Sequence, residues 1–297
     1  MNTSRLYKSR EGRHILHNLY RANLLSIDVP VTERMVETRF GDTHVVLYGN
    51  PDGKPVLTFY GKNAINPLIV SPLIRGLDTT RLRLIVPDPP GCIGFSAERR
   101  APLSDREYGE WAAQVMNGLK LSSVAVLGYS FGAMMALRLC TTSLLRAERL
   151  LLVTPSSVVR TSSSKIAKLM QPDCKNNERP LPEPAVRKML APVMPFHHDA
   201  LTEMARTILL HAKIEKEGKK PVRKSKLKKF KAPVYIVAEE SDYLFPGRKL
   251  IRRAKKIFPQ LGGVRLLSTG SHWGLFREET TESLKECFDN MSNFLAK

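Results

Sequence analysis

Cysteine is scarce in this chain of 297 residues, with four in all, at positions 92, 140, 174 and 287, and no CxxC pair. That spacing excludes a zinc ribbon and a disulfide framework, and reduced thiols are expected. Cys92 and Cys140 sit beside apolar or small residues and read as packing groups. Long apolar runs are also missing. Nothing approaches the roughly 18 consecutive apolar residues of a membrane-spanning helix. The opening residues, Met1-Asn2-Thr3-Ser4-Arg5, lack the apolar core of a signal peptide, so the expectation is a cytoplasmic protein. No internal repeat interrupts the chain. Acid is in short supply: 28 Asp and Glu stand against 47 Lys and Arg, a formal net charge of +19.

What is present describes a folded domain. The apolar fraction is 42% and the mean hydropathy −0.22, and the length suffices for one large core or a core with an insert. Much of the excess charge lies in residues 213–231, where ten Lys or Arg face only Glu215 and Glu217. Such a tract either forms a solvated surface or attracts the phosphates of an anionic membrane or of nucleic acid. No aromatic residue interleaves with it to stack bases before Phe230.

Apolar periodicity predicts an N-terminal amphipathic helix carrying Ile15, Leu16, Leu19 and Leu24, so residues 1–30 are expected as a helical extension. Strands at 36–39 and 44–49, joined at Gly41-Asp42, read as a hairpin, and 56–60 as a third strand. From there the pattern alternates: strand 82–86, helix 105–119, strand 123–127, helix 131–140, strand 150–154. After Pro155 the rhythm breaks. It resumes with strand 234–238, helix 247–257, strand 264–267 and helix 281–295. Alternation of this kind means a mostly parallel sheet with helices on both faces. The expected fold class is α/β, with a core of 31–155 and 232–297 and an inserted helical cap at 156–231.

The chemistry centres on Gly128-Tyr129-Ser130-Phe131-Gly132, between an apolar strand and a helix former. A serine hydroxyl is a weak nucleophile at neutral pH, so it needs a base, an exposed position and a place for the oxyanion. Two glycines allow a turn tight enough to lift the serine out of the sheet. A base is expected on the loop after the last strand, and an acid after the strand before it. His272 and Asp242 stand at those places, giving Ser130, Asp242 and His272 as the candidate triad. Glu239 and Glu240 compete with Asp242 for the acid's role. His197-His198-Asp199 superficially suggests a metal site, yet adjacent histidines point apart and no third ligand follows. No metal or cofactor is expected.

These residues resemble the α/β-hydrolase superfamily from about Thr38 onward. Asp88-Pro89-Pro90-Gly91-Cys92-Ile93-Gly94-Phe95-Ser96 is similar to that family's Asp-x-Pro-Gly-x-Gly-x-Ser loop, and Phe40-Gly41-Asp42-Thr43-His44 to carboxylesterase-like members. The resemblance implies an eight-stranded sheet and an oxyanion hole made by the amides of Phe131 and Lys62. It also has a departure. Where the family usually carries His-Gly after the third strand, this chain has Tyr60-Gly61, with tyrosine either replacing the histidine through its hydroxyl or packing as an aromatic.

The function expected is hydrolysis of a small-molecule carboxylic ester through an acyl-serine. The alternatives are other acyl or carbon–carbon bond chemistry on the same triad, and a triad-retaining binding protein with little turnover. Tyr60, Gly61, Tyr129 and Trp273 are expected at the substrate pocket. Leu169, Met170, Met189, Met194, Phe196 and Met204 would line an apolar recess or fill the cap's own core.

Overall fold

The computed structural model describes residues 6–61, 63–98, 106–169, 181–214, 220–277 and 281–297. Eight strands form one sheet: β1 (Val31–Val36), β2 (Thr43–Gly49), β3 (Lys54–Phe59), β4 (Leu82–Pro87), β5 (Val124–Tyr129), β6 (Ala147–Val153), β7 (Val234–Glu239) and β8 (Leu261–Leu267). Their order across the sheet is β1-β2-β4-β3-β5-β6-β7-β8. β1, β2 and β4 pair antiparallel in turn, and every pair from β4 to β8 is parallel. The mostly parallel sheet expected from the strand–helix alternation is therefore the one observed.

Side chains along the central strands split by parity. Ala125, Leu127 and Tyr129 of β5, with Leu151 and Val153 of β6, enter one apolar core, while Val124, Val126, Leu150 and Leu152 enter the other. Burial on both faces is why these strands read as near-continuous apolar runs. Helices α1 (Arg10–Leu25), α2 (Asn66–Gly76) and α10 (Glu282–Ala296) cover the first face. Helices α3 (Glu107–Gly118), α4 (Gly132–Thr142) and α9 (Gly247–Ile257) cover the second. Between β6 and β7 the described residues hold helices α5 (Ser163–Lys168), α6 (Glu183–Leu190), α7 (Asp199–His211) and α8 (Lys224–Leu227).

Two elements differ from expectation. The first strand lies at Val31–Val36, not at 36–39, and the connection through Gly41-Asp42 is a six-residue loop. Its sequence, VTERMV, is half polar because the strand is a sheet edge with half of its residues exposed, so its pairing is hidden in the pattern. Helix α2 has no counterpart among the expected elements. Pro67 stands in its first turn, where a missing N–H costs nothing, and Pro72 interrupts its interior. Both prolines mask an almost wholly buried helix.

The N-terminal segment is built into the molecule. Leu16 and Tyr20 are fully buried. Residues flanking α1 pair with the end of α7, Lys8 N donating to His211 O (2.9 Å) and Lys213 N to Leu6 O (2.8 Å).

Beneath the carboxyl ends of β3 and β4 lies a buried polar knot centred on Asp88. Its carboxylate accepts from Tyr60 Oη (3.0 Å), Asn66 Nδ2 (2.9 Å), Tyr20 Oη (3.2 Å), Phe95 N (3.1 Å) and His44 Nδ1 (2.9 Å). Ser96 Oγ donates to the Asp88 carbonyl (2.7 Å) and accepts from His44 N (2.8 Å). The chain wraps this closely only because Gly94 has no side chain: a Cβ there would stand 2.3 Å from Asp88 Oδ2. The other ring nitrogen of His44 meets Glu33 at 2.6 Å, and Arg21 caps Glu33 through both carboxylate oxygens. A ring flanked by two carboxylates bonds both only as the imidazolium.

Burial opposes the His44 cation, but Asp88 and then Glu33 outweigh it and raise the pKa above its ordinary 6.5. A raised folded-state pKa contributes stability that is fully present below pH 6.5 and is lost as pH rises through the folded value. Urea unfolding of the wild type is expected to weaken through that window relative to His44→Gln. Parallel stability–pH curves for the two proteins would refute this.

Candidate functional site

Ser130 sits on the turn between β5 and α4 with φ of 51°, a left-handed conformation costly for a residue with a Cβ. The flanking glycines explain how the turn is tolerated. A Cβ on Gly128 would stand 2.5 Å from Ala133 Cα, and one on Gly132 would stand 2.1 Å from Phe59 O. Strand, turn and helix therefore pack backbone to backbone, and the strain is held by Ser130 N donating to Val153 O (3.0 Å) and by Ser156 N donating to Ser130 O (3.1 Å).

The three residues paired in the sequence by order alone meet in space. Ser130 Oγ lies 2.8 Å from His272 Nε2, and His272 Nδ1 lies 2.7 Å from Asp242 Oδ2. Asp242 and His272 are each 2% exposed, while Ser130 is half-buried at the cavity wall. The second Asp242 oxygen accepts from Leu244 N (2.7 Å) and Phe245 N (2.9 Å), which holds the carboxylate in place. The competing acids have other work. Glu239 braces the loop before His272, accepting from Thr269 N (2.9 Å), Thr269 Oγ1 (2.6 Å) and Gly270 N (3.0 Å), while Glu240 pairs with Arg248. One residue beyond the histidine, Trp273 N donates to Val193 O (3.1 Å), tying this loop to the helical insert.

Among the described residues the cavity at Ser130 has a volume of about 180 Å³ and mostly apolar walls, with Ser156, Ser157 and Thr161 as polar members. Leu169, Met189 and Met204, anticipated from sequence, line it together with Val193, Ala205, Ile208 and Leu209. Met194 and Phe196 pack elsewhere in the core, and Met170 lies outside the described residues. Gly61, Tyr129 and Trp273 also line the cavity.

Tyr60 does not. Its ring is buried beneath the site, with its hydroxyl spent on Asp88. Burial, then the Asp88 charge, hold the phenol well above its ordinary pKa, so it remains a donor. Of the two readings left open for this tyrosine, replacement of the family histidine through the hydroxyl fits the hydrogen bond it makes. Lys62 lies outside the described residues. Phe131, which lines the cavity with Ser130, directly precedes α4, so the positive end of that helix's dipole begins beside the serine. Of the knot's members, Asp88, Phe95 and Ser96 fall in the glycine loop and His44 in the 40–44 stretch already singled out by the family resemblance, while Tyr20 and Asn66 carry no sequence motif.

Elsewhere, His198 caps α7 by accepting from Leu201 N, and His197 pairs with Asp199 (2.8 Å). Among the described residues no group of three or more His, Cys, Asp or Glu could hold a metal ion, and no helix is long and apolar enough to cross a membrane.

A doubly flanked parallel sheet with a serine lifted on a glycine turn at its carboxyl edge defines a hydrolase of the α/β type. The family model described as "Alpha/beta hydrolase family" matches residues 61–282, and the chain belongs to that family. No curated protein matches the chain. Among solved structures it is similar to naproxen esterase (carboxylesterase NP) from Bacillus subtilis, at 15% identity and a TM-score of 0.77, covering 97% of this chain and 99% of that one. It is also similar to carboxylesterase CesB from Bacillus subtilis (17%, 0.77, 96% and 98%). A third is a variant of the meta-cleavage product hydrolase from Pseudomonas fluorescens IP01, complexed with acetates (14%, 0.69, 89% and 96%).

The two buried tyrosines at the site make a contrasting test. Tyr60→Phe removes one donor from a buried carboxylate and is expected to cost about 1.5–3 kcal/mol. The Tyr129 hydroxyl is buried with no partner among the described residues, so Tyr129→Phe is expected to be neutral or mildly stabilising. Chemical denaturation of both variants checks the pair, and equal losses would contradict it.

Proposed function

We propose that the protein hydrolyses carboxylic esters through an acyl-Ser130 intermediate. The observation that carries this reading is the unbroken hydrogen-bond chain Ser130–His272–Asp242 opening on an apolar cavity. His272 Nε2 takes the hydroxyl proton as Ser130 Oγ attacks the acyl carbon. Asp242 fixes the tautomer with the Nδ1 proton facing it and stabilises the imidazolium that forms. The family resemblance assigns the tetrahedral oxyanion to two amides, that of Phe131, directly before α4, and that of Lys62. His272 then returns its proton to the departing alkoxide. Water, deprotonated by the same nitrogen, releases the acid and restores Ser130.

Size and polarity of the cavity suggest what is bound. An apolar cavity of about 150 Å³ accommodates benzene. The present 180 Å³ therefore suits an uncharged aliphatic or aryl acyl group of about four to eight carbons. Ala205, half-buried on α7, offers a place to shorten the cavity without deleting core contacts.

Three measurements test this reading. Ser130→Ala should lower turnover of p-nitrophenyl hexanoate by at least about 10⁴-fold, and Asp242→Asn by about 10⁴-fold. Ala205→Phe should reduce kcat/KM for the hexanoate about tenfold while leaving the acetate within a factor of about three. Stoichiometric labelling of Ser130 by a fluorophosphonate would accompany these losses. Unchanged turnover in Ser130→Ala, or no labelling at all, would point instead to a protein that binds without catalysing. The likeness to a meta-cleavage product hydrolase makes a carbon–carbon bond substrate the informative competitor.

A further inference from the structure

The charge excess gathers into one face whose position goes beyond the sequence tract. Helix α9 turns Leu250, Ala254 and Ile257 into the core and presents Arg248, Lys249, Arg252, Lys255 and Lys256 outward, all exposed. At 100° per residue these five cations fall on one continuous stripe opposite the buried one. The 224–231 segment lies against it. Leu227 and Phe230 enter the same core as Leu250, Arg253 Nη2 donates to Val222 O (3.1 Å), and five lysines between 224 and 231 stay exposed. Among the described residues of 220–260, acid offsets only one of them: Glu240 is paired with Arg248, while Glu239 and Asp242 are buried inside the site. So many like charges on one face repel one another unless an anionic surface compensates.

Both basic segments also run directly off the cavity wall. Leu244 and Phe245 line the cavity just before α9 begins, and Val222 N donates to the carbonyl of Ser157, another lining residue (2.7 Å).

We propose that this α8–α9 face docks the protein on an anionic lipid bilayer, holding the apolar cavity beside the phase in which water-insoluble esters reside. Lysine predominates, and its ammonium is a compact point charge without the forked geometry that reads a fixed phosphate pattern. Laterally mobile headgroups can gather beneath such charges, each Lys or Arg adding to the attraction. Phe230 and Phe258 are buried, so neither offers this face an aromatic platform for bases. The choice of lipid over nucleic acid rests on reading the cavity as an acyl site. The attraction to a polyanion does not.

Co-sedimentation of the full chain with vesicles of phosphatidylcholine, alone or mixed with phosphatidylserine, tests the proposal without requiring turnover. Binding is expected only to the mixed vesicles, and it should disappear at high salt. Lys249→Glu, Arg252→Glu, Lys255→Glu and Lys256→Glu together should weaken partitioning by at least about a hundredfold, and the corresponding Gln variant by less. Turnover of a water-soluble acetate ester, retained in both variants, shows that they fold. Equal binding to neutral and mixed vesicles overturns the proposal. So does binding unaffected by the four substitutions, or displacement from the vesicles by duplex DNA at lower phosphate concentration than the lipid itself supplies. If vesicle binding holds while ester turnover is absent from the wild type, the docking survives and the acyl reading falls.

Discussion

A carboxylate that is fully buried has to be surrounded by donors, and meeting that requirement at Asp88 organises the site-bearing end of this molecule. Removing an ion from water costs several kcal/mol even after relaxation, so each lone pair must find a partner. The partners are drawn from separate parts of the chain: Tyr20 from α1, His44 from β2, Tyr60 from the end of β3, Asn66 from α2 and the Phe95 amide from the glycine loop. No two of these segments adjoin one another in both sequence and sheet order, so their agreement on one anion aligns them. Tyr60 is the first residue of the loop that leads to Gly61 and the cavity. Structural demand at Asp88 is thus transmitted to the place where reacting atoms would sit.

The catalytic-looking residues themselves are held differently. Ser130 is fixed by close backbone packing that only Gly128 and Gly132 allow, and His272 by Asp242 on one side and a loop braced through Glu239 on the other. Two buried acids close together in sequence therefore divide the labour. Glu239 shapes the loop and Asp242 meets the ring.

Much of this was legible in the amino-acid sequence, for physical reasons that also explain what was not. Central strands buried on both faces leave apolar runs, and the turn at Ser130 leaves its two glycines, so the sheet and the order Ser130, Asp242, His272 could be read from patterning. Edge strand β1 could not, because half of VTERMV faces water. Helix α2 could not, because Pro67 and Pro72 argue locally against a helix that tertiary burial sustains. The choice among Glu239, Glu240 and Asp242 depended on which side chain turns toward the ring, a matter of loop geometry. Sequence puts Tyr60 beside the pocket residue Gly61 but does not give the direction of its ring, and the anion that captures it lies 28 residues away.

The bond between the Trp273 amide and the Val193 carbonyl joins the helical insert to the residue next to the base. Val193 also lines the cavity, so one backbone bond is shared by the wall that meets a bound molecule and by the loop that carries the imidazole. A substitution in the insert at that point is therefore felt one residue from His272, without touching the ring itself.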